Sequence, residues 1–169
     1  ENDNGANIVA QIALRGNGII MAWQGTVHPF RFRPSWNAIA ELPWEQQRAK
    51  LLDPAFKAQL LGEVNDFSEA PQDIVGLLMV VAGGWTMQFE MDPDFDYEPQ
   101  ADASIAARAA AKGVTPDEYA YDLLCQDGGT GFIYLPILNY ADGNLDFLEA
   151  LQASDDTVNS LSDGGAHCG

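Results

Sequence analysis

Two strand-like runs stand near opposite ends of this sequence, and the length of chain between them constrains the fold more than any other feature. "ANIVAQIAL" (Ala6 to Leu14) is β-branched and apolar with one internal Gln11, the pattern of a strand buried on both faces, and Gly5 and Gly16 punctuate it. "TVNSLSD" returns to strand chemistry from Thr157 onward. Well over a hundred residues lie between, more than any ordinary crossover uses. Much of that stretch reads as helix, so the order strand, long excursion, helices, strand predicts the α/β class. There is no internal repeat and no low-complexity tract, which sets aside solenoids and arrays.

Within the excursion, "NGIIMAWQGTVHPFRFRPSW" is aromatic but crowded with Gly and Pro, which predicts a long loop or short irregular strands. "PWEQQRAKLLDPAFKAQLLGEV" (Pro43 to Val64) predicts two helices, the second capped by Asp53 with Pro54 at its first position. The run Ile74 to Trp85 is too short to span a bilayer, is broken by Gly83 and Gly84, and reads as core. Trp85, Met87, Phe89 and Met91 alternate with Thr86, Gln88 and Glu90, which predicts a half-buried strand. Two further helices follow, Ser104 to Lys112 closed by Gly113, and Thr115 to Gln126 with Thr115, Pro116 and Glu118 placed as in a capping box. A last helix starts near Asn144, with Leu145, Phe147, Leu148 and Leu151 on one face.

The 169 residues suit one domain, and 47% hydrophobic content argues against disorder. Eight basic residues against twenty-five acidic ones give a net charge of -17, a field that repels phosphate backbones and anionic membrane surfaces. Nucleic acid and membrane are therefore set aside as partners. Cys125 and Cys168 form no disulfide framework, and no basic segment followed by an apolar one marks a secretory signal. The expected compartment is the cytoplasm.

Five stretches carry a resemblance: "ANIVAQIALRGNGIIMAWQGTVHPF", "LLDPAFKAQLL", "SIAARAAAKGVTPDEYAYDLL", "LPILNYADGNLDFLEAL" and "LSDGGAHCG". Together, and in this order, they resemble the C-terminal part of the amidohydrolase superfamily, in its N-acyl-D-amino-acid deacylase (D-aminoacylase) branch. The resemblance implies a fragment of a metal-dependent (β/α)8 TIM-type barrel carrying its last strands. Residues 1–15 would hold strand seven, 16–99 an insertion that shapes the substrate pocket, and 100–169 helices and strand eight. It implies hydrolysis of an amide in an N-acyl amino acid or related small molecule, with one or two zinc ions. Asp163 matches the carboxylate that carries the proton at the end of strand eight and stands beside the metal. The sequence departs from the family pattern in having no HxH pair, only His28 and His167. The remaining ligands are expected upstream of Glu1, in a missing N-terminal part of the barrel, and the fragment alone is expected to be inactive.

Each candidate residue has an alternative role. Asp163, before Gly164 and Gly165, is also a common turn former. His167 is a substrate contact or a satisfied loop histidine, and Cys168 a ligand or a small buried hydrophobe. His28 lies in an aromatic stretch, as packing or as a substrate contact. Arg15, at the end of the first strand, would fork onto a substrate carboxylate or sit in a surface salt bridge. Gln11 would contact substrate or close a polar network inside a barrel. Asn139 and Tyr140 are substrate contacts or loop anchors. The alternative function is an acidic, non-catalytic binding or assembly domain that uses Trp23, Phe30, Phe32 and Trp36 as a partner-binding patch.

Overall fold

In a computed structural model of the chain, residue 5 and residues 8–140 and 142–160 are described. The fold is mixed α/β, with small sheets and, among the described residues, eight helices. Backbone contacts divide it into two compact units, Glu1–Gly18 with Pro136–Gly169, and Ile19–Leu135.

The smaller unit is built on strands β1 (Ala10–Ile12) and β5 (Thr157–Asn159), which pair in parallel with Ala10 opposite Thr157 and Ile12 opposite Asn159. The Ala10 amide donates to the Asp156 carbonyl at 2.9 Å, and Ser160 donates to the Ile12 carbonyl through both its amide and its hydroxyl, each at 2.9 Å. Helix α8 (Asp146–Gln152) precedes β5 and buries Leu148, while Phe147 stays partly exposed. The first strand is shorter and more open than its sequence predicts. Only Ile12 is buried, and Ile8, Val9 and Leu14 are exposed, because β5 is the one strand paired with it among the described residues.

In the second sheet the order is β2 (Asn17–Met21), β4 (Ile133–Leu138), β3 (Phe89–Glu90). Strand β3 runs antiparallel to β4, with Phe89 opposite Tyr134. The aromatic loop after β2 folds inward. Trp23 stacks on Phe30 and Trp36 at ring separations of 5.4 and 5.3 Å, and the Tyr121 ring meets Trp23 edge-on at 5.3 Å. Trp23, Phe30 and Trp36 are buried core, and of the four rings expected to form an exposed aromatic patch only Phe32 stays half-buried; large rings release far more free energy in a core than at a wet surface.

Helices α1 (Pro34–Asn37), α2 (Trp44–Leu51) and α3 (Pro54–Leu61) follow. The Asp53 side chain accepts from the Ala55 amide and Pro54 opens α3, as the sequence predicts. Helix α5 (Ile105–Lys112) begins at Ser104, whose hydroxyl accepts from the Ala107 amide, and ends at Gly113, which takes the left-handed conformation at φ 70°. Helix α6 (Pro116–Leu124) begins at Thr115, which accepts from the Glu118 amide. A short turn of helix, α7 (Gln126–Gly129), contains Asp127 and Gly128 at positive φ.

Two apolar readings change. Ile74 to Trp85 forms a surface helix that is apolar on all sides, α4 (Val75–Gly83), with Leu78 and Val81 buried but Ile74, Met79 and Val80 exposed. The predicted alternation around Trp85 also breaks, for Gln88 is fully buried while Met87 is exposed. The reason is a cap. The Gln88 amide donates to the carbonyls of Val80 and Val81 at 2.8 and 2.9 Å and so joins the Gly84 amide, which also donates to Val80, in capping the last turn of α4. Among the described residues, no helix is long and apolar enough to cross a membrane.

Candidate functional site

In (β/α)8 barrels, the architecture that the sequence resembles, chemistry gathers where the chain leaves the parallel strands, at their C-terminal edge. In the smaller unit that edge is marked by Ile12 and Asn159, which stand opposite one another. Arg15 follows β1 there and is half-buried. The backbone around it is held by Asn139, whose side-chain amide donates to the carbonyls of Ala13 and Arg15, each at 3.2 Å. Asn139 itself has φ 61°, a left-handed conformation that asparagine tolerates better than most residues. Its donors are thus committed to anchoring the loop that carries Arg15. Tyr140, next in sequence, is buried. Gln11 is exposed within β1, opposite Val158. Asp163, His167 and Cys168 lie outside the described residues.

His28 belongs to the larger unit and is 1% exposed. Its ring meets Trp36 edge-on at 4.3 Å and Trp23 at 5.0 Å, and its Nδ1 accepts from the Phe30 amide at 3.3 Å. Burial, aided by the positive charge of Arg31, holds its pKa down to about 3. It is a neutral packing group. Cys125 is likewise quiet, its thiol pushed up to about 11 chiefly by burial.

Polar groups that the sequence reading passed over converge on Glu90 in β3. Its carboxylate pairs with Arg108, accepts from the Tyr119 hydroxyl at 3.0 Å, and accepts from the Gln126 amide at 3.4 Å. Burial is the main cause that raises the Tyr119 pKa. This cluster ties β3 to α5, α6 and α7. Beside it lies a depression of about 250 Å³ bordered by Asp92, Asp94, Asp96 and Asp102. Asp92 and Asp96 accept backbone amides two residues on, from Asp94 and Glu98, so they close local turns. Among the described residues no group of three or more His, Cys, Asp or Glu is placed to hold a metal ion. The only legible signal for Glu90 was its place on the polar side of the Trp85 to Met91 alternation.

No protein-family model, no curated protein and no solved structure matches this chain.

Proposed function

We propose that the chain is part of a metal-dependent hydrolase of C–N bonds, similar to the N-acyl-D-amino-acid deacylases, to which it contributes the last two strands of a (β/α)8 barrel and a long inserted segment. The observation that carries this reading is the parallel pairing of β1 with β5, with helix α8 leading into the second strand. Successive barrel strands are parallel neighbours, and their catalytic groups follow their C-terminal ends. Arg15 comes three residues after β1 and Asp163 four residues after β5.

In this reading Asp163 takes a proton from the attacking water and delivers it to the leaving nitrogen of the amide. Arg15 forks onto the carboxylate of the N-acyl amino acid, on a loop that Asn139 positions. Zinc, when bound, supplies Lewis acidity that polarises the scissile carbonyl. Asp163 and histidines outside this chain would hold the zinc.

The test is Asp163→Asn in the enzyme that contains this chain, with N-acetyl-D-amino acid hydrolysis at saturating substrate and zinc measured on one preparation. Turnover is expected to fall by roughly 10²- to 10⁴-fold with zinc content unchanged, the scale for losing a positioned general base. A zinc-loaded variant that keeps more than about a tenth of parental turnover refutes the assignment.

A further inference from the structure

The larger unit holds a depression of about 330 Å³ whose wall includes three of the chain's four tryptophans, Trp23, Trp36 and Trp44, together with Arg31 and Glu41. Trp23 and Trp36 are rooted in the core, whereas Trp44 is half-buried, so the aromatic part of the wall is fixed from beneath and open at one ring. Arg33, Arg48, Lys57 and Arg108 form ion pairs, whereas Arg31, like Lys50 and Lys112, forms none among the described residues, although acidic groups outnumber basic ones threefold. Its other side borders a second depression that contains Asp66 and Glu69, and neither carboxylate pairs with it.

We infer that this depression is a binding site for a small monocarboxylate with a flat apolar body, held by Arg31 at the carboxylate and by the half-buried ring of Trp44 at the body, with Trp23 and Trp36 backing the wall from the core. A half-buried guanidinium offers forked donors to a carboxylate and, lacking an internal partner, gives up no ion pair on binding. The indole of Trp44 supplies a rigid apolar contact at little entropic cost. Glu41, exposed on the same wall, and the strongly negative surroundings disfavour a second negative charge on the ligand. The site lies within one compact unit and does not depend on the proposed hydrolase activity.

The probe is phenylacetate, titrated into the full chain and followed by tryptophan fluorescence and calorimetry. Its neutral isostere phenylacetamide and the dianion phthalate serve as comparisons. Phenylacetate is expected to give saturable binding about tenfold tighter than phenylacetamide, the scale of one charge-assisted contact in a partly exposed site, with phthalate weaker than phenylacetate. Arg31→Gln, checked for native near-ultraviolet dichroism, is expected to bind acid and amide alike, and Trp44→Leu to weaken both. Absence of saturable phenylacetate binding, equal affinity for acid and amide in the unmodified chain, or an undiminished preference for the acid in Arg31→Gln each overturns the proposal.

Discussion

The carbonyl oxygen of Leu123, near the end of α6, stands 1.9 Å from the point where a side chain on Gly131 would begin. Gly131 therefore lets the chain turn from α7 into β4 against the back of α6. Gly131→Ala forces backbone to move, since no flexible side chain can yield, and is expected to cost about 3 kcal/mol, the upper end of overpacking penalties. Urea unfolding measures it; a loss below about 1 kcal/mol contradicts the close approach.

Arg33 and Asp117 form a second tight relationship across the larger unit. The Arg33 side chain is 5% exposed, pairs with Asp117, donates to the Leu60 carbonyl at 3.0 Å, and lies over the Phe30 ring. Asp117→Asn leaves that guanidinium buried with half its partners and is expected to cost about 2 kcal/mol, below the full penalty for breaking a buried pair because Asp117 is partly exposed. Asp122→Asn removes a partner of Lys57 at the surface and is expected to cost less than about 1 kcal/mol. Comparing the two variants by thermal and urea unfolding checks the contrast, and equal losses contradict it.

His28 gives the fold a pH dependence of known sign. Its pKa is about 3 in the folded chain against an ordinary 6.5, so between those values the unfolded chain binds the extra proton. The contribution is complete above pH 6.5 and is lost as the pH falls toward 3, at up to about 1.4 kcal/mol per pH unit. In His28→Gln the slope of stability against pH between 6 and 4.5 is expected to flatten relative to the parent, leaving the part due to carboxylates. Parallel slopes contradict the burial of a neutral imidazole.

Local chemistry was legible in the sequence, and distant pairing was not. Asp53, Ser104, Gly113 and Thr115 act within four residues of themselves, so each helix end announced its own cap. Arg33 and Asp117 are 84 residues apart, and nothing in either neighbourhood selects the other. Gln88 misled for the same reason. Its place in an alternating run suggested the wet face, but the carbonyls of Val80 and Val81 drew it inside and pushed Met87 out. Trp23, Phe30 and Trp36 looked like a binding surface because their loop is rich in Gly and Pro, and became core because Tyr121 arrives from a helix far along the chain. Of the candidate site, the Arg15 loop is in view, whereas Asp163 and His167 lie beyond the described residues.

Strands β2 and β4, which carry the chain into and out of the larger unit, are hydrogen-bonded neighbours in one sheet. A segment of more than a hundred residues thus enters and departs through a single doorway. To the flanking chain such a guest costs no more closure entropy than a short hairpin, because its own folding has already brought the two ends together. Length can then be gained or shed inside the guest without pulling β1 away from β5, and a host built this way can remodel one unit while the other keeps its register.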